Sequence, residues 1–263
     1  MLIPFRDDNP TRTFPLVVFA LIATNVVVFL YQQTLSTGEG LLFLCRYGAI
    51  PAVLLGGASL DDAIYQMLAG AARFGQIPRG GAVGALSAAA LQPIWLSLFT
   101  SMFLHGGLLH LGGNMLYLWI FGNNVEDTLG HFRFLLFYLL CGLFAAAAQM
   151  LLGLHSLVPM IGASGAIAGV LGAYYVKFPR ARVDCLLFLA IFITVVALPA
   201  GLVLFLWFLL QVFEALGAAG AYAGQGGVAF FAHIGGFIAG WLLIRRFDRG
   251  RRRPVIYSRR SRR

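Results

Sequence analysis

Gly162-Ala163-Ser164-Gly165-Ala166-Ile167-Ala168-Gly169 sets one hydroxyl among small residues at the head of an apolar stretch that runs on through Tyr174 and Tyr175 to Lys177. Taken alone, this stretch has two meanings. Gly165 with Gly169, and Ala168 with Gly172, form small-xxx-small pairs that let membrane helices approach closely. The same bareness also leaves the Ser164 hydroxyl open to another side chain. The choice turns on whether the rest of the chain brings a base to Ser164 at the same depth.

The setting is a membrane. Of 263 residues 60% are hydrophobic and only 11% charged, and the mean hydropathy is +0.84. A soluble domain carries about 25% charged residues. The net charge of +9 does not point to nucleic acid, because the basic residues gather in the C-terminal tail rather than over a polar surface. Cys45, Cys141 and Cys185 lie far apart without C-x-x-C spacing, so neither a disulfide framework nor a zinc site follows from them. No cofactor and no metal are expected.

Six spans can be read from the apolar stretches. The first, Phe14–Tyr31, is too long for a typical signal-peptide core and lacks an Ala-x-Ala exit, so it reads as a retained helix. A long Gly/Ala-rich section follows to Gln92, with a short amphipathic helix at Asp61–Leu68 lying at the interface. Trp95–Phe103 reads as a short apolar segment dipping into the outer leaflet. The second span is His105–Phe121, the third Phe132–Leu152 and the fourth Ser164–Phe178. Leu186–Leu216 has 31 residues, about 46 Å as helix against a core of about 30 Å. Pro199 supplies the break, giving a fifth span at Pro199–Leu216 behind an interfacial piece. The sixth is Ala229–Ile244, closed by Arg245-Arg246. The expected units are a membrane domain at 1–247 and a basic tail at 248–263.

An even number of spans puts both ends of the sequence on one side. With the N-terminal end cytoplasmic, sixteen of the nineteen Lys and Arg residues fall inside, and only Arg46, Arg73 and Arg79 fall outside.

Polar residues within spans are costly and are candidates for function. His105, His110, Asn114, Ser164 and His233 are those residues here. Counted at 1.5 Å per residue from each cytoplasmic end, Ser164 and His110 lie about 20 Å up and His233 about 18 Å. Asn114 is one turn below His110 on the same helix face. The fourth span covers only about two thirds of the core if it starts at Ser164, so the chain before it enters the membrane around a cavity or within protein. His233 can then take the Ser164 proton, and the Ser164 N–H, His110 and Asn114 can bind an oxyanion. No Asp or Glu lies at this depth. A Ser–His dyad is therefore expected, with His233 oriented by packing alone. Gly236 and Gly240 are spaced to meet the glycine face of the fourth span. His105 reads as a packing residue, and His131 and His155 as solvated. The fifth span shows aromatic residues but no mid-span polar anchor. With a mobile Gly217–Gly227 beyond it, that span reads as a movable wall for substrate entry.

At this point the residues resemble the rhomboid family of intramembrane serine proteases. The matching motifs are His105-Gly-Gly-Leu-Leu-His110-Leu-Gly-Gly-Asn114, Gly162-Ala-Ser164-Gly165 and Ala232-His233-x-x-Gly236-x-x-x-Gly240. The opening Ile3-Pro4-Phe5-Arg6-Asp7-Asp8-Asn9-Pro10 is similar to bacterial members. One departure is the first loop, which lacks the Trp-Arg pair of many members between Gln32 and Gln92. The resemblance implies an all-α polytopic membrane protein, a six-transmembrane-helix rhomboid-like bundle with a long first outside loop. It implies Ser164 as nucleophile, His233 as base, and His110 and Asn114 as oxyanion-stabilising donors. The implied partners are the lipid bilayer and single-span transmembrane substrates, cut near the outer face at small residues beside helix-breaking sequence. The implied location is the cell (inner) membrane. Two other readings remain: an inactive relative that binds membrane proteins without cutting them, which would lack Ser164 or His233, and a transporter, which would show repeated halves.

Overall fold

The computed structural model describes residues 2–73, 93–189, 192–221 and 230–248. Its first helix, α1 (Leu16–Thr34), has no capping side chain of its own. The Glu126 carboxylate serves instead, accepting the Val17 and Val18 N–H groups at 2.9 and 2.8 Å. A buried carboxylate at a helix start satisfies orphan donors and complements the positive end of the helix dipole. The first loop then forms α2 (Thr37–Tyr47), opened by a Ser36/Glu39 capping box, and α3 (Leu60–Arg73). The helix expected at Asp61–Leu68 thus exists and is longer. It buries Ile64 and Leu68 against Cys45 and Ile50 in a small core separate from the main one.

The second span is bent. Ile94–Phe103 and Leu108–Leu129 meet at 81°, and α4 (Leu108–Tyr117) runs on through a π-helical turn at Leu118–Gly122 into Asn123–Leu129. Gln32 pins the bend: its side-chain amide accepts the His105 N–H at 3.1 Å and donates to the His105 carbonyl at 3.2 Å. The remaining helices are α5 (His131–Leu152), α6 (Ser164–Lys177), α7 (Ala200–Ala221) and α8 (Phe230–Phe247). Four helices, α1, α5, α7 and α8, are long and apolar enough to cross a membrane, and the bent pair makes a fifth. The protein is a multi-pass helical membrane protein. At 14 residues α6 reaches only about 21 Å.

That short helix is the centre of the bundle. Gly165 through Tyr174 are all buried, and α4, α5, α7 and α8 surround them. A helix apolar on every side belongs in the middle of a bundle. Its junction with α8 is made by backbone. A Cβ on Gly240 would stand 1.8 Å from the Gly169 carbonyl oxygen, and one on Gly236 2.0 Å from that of Gly165. Only glycine fits such a seam.

The apolar run before the fifth span, expected as an interfacial piece, forms β-structure. Strands β1 (Leu2–Asp7), β2 (Arg182–Leu189) and β3 (Phe192–Pro199) form an antiparallel sheet in the order β1-β2-β3. Asp7 pairs with Val183, and Arg182 with Pro199. Ile193-Thr194-Val195-Val196 is rich in β-branched residues, which favour a pleated strand. Pro199 does mark the break, since α7 begins at Ala200. At the end of β1, Asp7 Oδ2 accepts the Tyr174 hydroxyl at 2.6 Å and the Asn124 amide at 2.8 Å. Burial nevertheless pushes the Asp7 carboxyl up to about 6. At the other end of the fifth span, α7 continues through Gly217 to Ala221, so the segment read as mobile from Gly217 is helical that far. Residues 222–227 lie outside the described residues.

Candidate active site

Ser164 is the first residue of α6, and Gly162 makes the turn that brings it there. Gly162 sits at φ +117, a conformation that L side chains rarely adopt, and its N–H donates to the Ser101 carbonyl at 2.9 Å. A Cβ on Gly162 would stand 2.8 Å from His110 Nε2 and 3.8 Å from Asn114 Nδ2. The turn, the His110 ring and the Asn114 amide therefore face one small space beside the serine. The Gly106 N–H donates to His110 Nδ1 at 3.4 Å, which leaves Nε2 as the protonated nitrogen facing Gly162. Among the described residues the buried Asn114 Nδ2 has no hydrogen-bond partner. A buried donor without an acceptor is costly, and it can take one that enters the site.

His233 comes from the first turn of α8 and is 8% exposed. Its Nε2 lies 2.8 Å from Ser164 Oγ. The glycine seam fixes this distance, because Gly236, one turn below His233, touches the Gly165 carbonyl. The start of α8 is held from the other side by Gln149 of α5, whose side-chain oxygen accepts the Ala232 N–H at 3.2 Å. Gly165 and Gly169 also lie against Ala145 and Cys141 of α5, so both helices bound α6 at the site. A cavity of about 40 Å³ opens beside Ser164, lined by Met102, Gly142, Ala145, Ala146, Met160 and Ile161 among others. Small walls make it a place for a small side chain.

The imidazole is not oriented by packing alone. His233 Nδ1 lies 2.5 Å from Gln211 Oε1, and Gln211, on α7, is 6% exposed. The fifth span therefore has a mid-span polar group, which reading the sequence for ionisable residues passed over. The depth count used for the other spans would have found it: Gln211 is eleven residues above Ala200, about 17 Å, level with Ser164 and His233. Trp207, one turn earlier on the same face, has its ring 5.9 Å from the imidazole.

The other histidines take separate places. His105 is 2% exposed, its ring 5.0 Å from that of His110, and neither of its ring nitrogens has a hydrogen-bond partner among the described residues. His155 is exposed. His131 is not simply solvated, since its Nδ1 lies 2.5 Å from the buried Glu126 carboxylate that caps α1. All three cysteines are free and buried, and outside the spans burial pushes the Cys45 thiol up to about 12, away from the thiolate. Among the described residues no group of three or more His, Cys, Asp or Glu side chains is placed to hold a metal ion.

A central short helix opening on a serine, with a histidine of the next glycine-paired helix hydrogen-bonded to it inside a multi-pass bundle, defines a class of membrane protein. The rhomboid-domain profile matches residues 92–247, and the chain belongs to the rhomboid family. It is 34% identical over 168 residues to the mitochondrial Rhomboid protein 1 of Saccharomyces cerevisiae, covering 61% of this chain and 45% of that protein. Over 82 residues it is 46% identical to Rhomboid protease GluP of Bacillus subtilis, 31% of this chain and 16% of that one. RHOMBOID-like protein 1 of Arabidopsis thaliana is 27% identical over 249 residues, 91% and 55% of the two chains. The chain thus spans about half or less of the length of these relatives.

Proposed function

We propose that this chain is an intramembrane serine endopeptidase that cuts the transmembrane segments of single-span membrane proteins near the outer face. The observation that carries the reading is the 2.8 Å contact between Ser164 Oγ and His233 Nε2 at a buried site. In the first half-reaction Ser164 Oγ attacks the scissile carbonyl carbon while its proton passes to His233 Nε2. The carbonyl oxygen becomes an oxyanion and takes hydrogen bonds from the Ser164 N–H, Asn114 Nδ2 and His110 Nε2. His233 returns the proton to the leaving nitrogen, the C–N bond breaks, and the acyl-enzyme remains. In the second half-reaction water gives a proton to His233 while its oxygen attacks the acyl carbon, and Ser164 Oγ leaves, taking that proton back from His233. The cavity beside Ser164 favours a small residue before the cut.

Residues 1–247 are the protease unit under this proposal. Residues 248–263 are a cytoplasmic basic tail, of which 249–263 lie outside the described residues. The protein sits in the cell (inner) membrane with both ends of the sequence inside.

The test is incubation of the purified protein in detergent with a tagged single-span substrate, read by gel, beside Ser164→Ala. Cleavage by the unsubstituted protein and none by Ser164→Ala is the expected result. Uncut substrate in both lanes, with the substrate retained on the protein, would favour the binding relative instead. In the same assay the double variant His110→Ala, Asn114→Ala loses about 100- to 1000-fold in kcat. Full activity there removes both residues from the oxyanion site.

A further inference from the structure

Gln211 makes a hydrogen-bonding contact to His233 that neither the dyad chemistry nor the glycine seam explains. A primary amide on a membrane helix is costly unless its hydrogen bonds are met. On α7 every fourth residue or so turns inward: Leu204, Trp207, Gln211 and Ala215 face the bundle, while Phe205, Leu210 and Phe213 point outward. Gln211 thus reaches the site in the row of residues that docks the helix, and its oxygen ends 2.5 Å from His233 Nδ1. An amide oxygen only accepts, so Nδ1 must carry the proton. In that tautomer the lone pair lies on Nε2, which faces Ser164 Oγ. This is the form of imidazole that can take the serine proton.

We infer that Gln211 is a positioning residue that holds His233 as the Nδ1–H tautomer and fixes its ring, making a Ser164–His233–Gln211 triad whose third member is carried by α7. The inference rests on the proposed peptidase reading. It adds that the base is correctly set only while α7 is docked. Along its length α7 meets α8 through side chains, Phe208 against Phe237 with centroids 4.7 Å apart and Trp207 against His233. Moving α7 aside would take the acceptor from Nδ1, and docking it again would restore the base.

The test compares Gln211→Met, which keeps length and loses the acceptor, with Gln211→Glu, which keeps an acceptor oxygen at the same reach. A helper that orients a histidine is typically worth about 10- to 100-fold. Gln211→Met should lose about that much in kcat with KM nearly unchanged, and Gln211→Glu should keep more activity than Gln211→Met. A merely packing role gives the opposite order, because the apolar isostere then suits the bundle better than a carboxyl. Wild-type kcat in Gln211→Met, or Gln211→Met above Gln211→Glu, overturns the assignment.

A second measurement needs no variant at position 211. The ring-nitrogen NMR signals of His233 in the unsubstituted protein, assigned by their loss in His233→Ala, show which nitrogen bears the proton. Nδ1–H is the expected result. A proton on Nε2 would mean that the amide is turned about, giving its own N–H to Nδ1, and would overturn the inference. If the unsubstituted protein cuts nothing, the peptidase reading falls while the tautomer still decides the role of Gln211.

Discussion

Helix α8 meets its two neighbours by opposite means. Against α6 it is glycine on glycine, backbone touching backbone, with no room for a methyl group at Gly236 or Gly240. Against α7 it is ring on ring and a single amide, with large side chains between the two backbones. The first arrangement has one solution, since carbonyl oxygens cannot step aside. The second tolerates adjustment, because side chains repack at modest cost. Ser164 and His233 are set across the rigid junction, and the helix that carries Gln211 stands across the adjustable one.

The largest effect should come from filling the rigid junction. Gly240→Ala puts a methyl group onto the Gly169 backbone, and its cost should reach about 3 kcal/mol or more, with cleavage lost alongside stability. Gly217→Ala on α7, which meets nothing within 4 Å, is the matched control and should melt at or slightly above the unsubstituted temperature. Equal melting of the two variants in detergent would erase the contrast between the junctions.

A smaller effect is expected at the ring contact. Phe208→Leu loosens α7 against Phe237 without touching His233, and its stability change should stay under about 1.5 kcal/mol. Turnover of a membrane-embedded substrate should rise relative to that of a soluble peptide. Parallel changes for both substrates would show that α7 is not the entry wall.

The smallest effect lies at the end of α6 away from Ser164, where it is tied to the sheet through Asp7 and Tyr174. The native Asp7 carboxyl, at about 6, holds its proton more tightly than an unfolded one at 3.8. The stability this gives is therefore complete below 3.8 and lost as pH rises through 6. The melting temperature should fall between pH 4 and 7 in the unsubstituted protein. In Asp7→Asn, which can still accept from Tyr174, that fall should flatten. An identical pH dependence in the two proteins would remove Asp7 as its source.

Much of this was legible in the residues. The span positions follow from apolar runs, and five of the six begin within two residues of a helix start. The exception is the second span, where the chain bends at His105–Gly107 before α4 begins. The common depth of Ser164, His110 and His233 follows from helical rise alone. The sheet was not legible, because an apolar run of this length fits a strand or a buried helix equally well and its partner strand lies far off at Leu2–Asp7. Gln211 was missed for a different reason. A neutral amide carries no charge to draw attention, although in a lipid-facing helix it needs a partner as a charged group does.

Two strands separate β1 from α7: β1 pairs with β2, β2 with β3, and β3 passes into α7 at Ala200. Residues nearly two hundred positions apart in sequence are thereby coupled like two ends of a short lever. Exposed Phe5, at 38%, is a handle on that lever. A spectroscopic label placed there would register tilting of the fifth span from the far edge of the sheet, leaving every residue near Ser164 untouched.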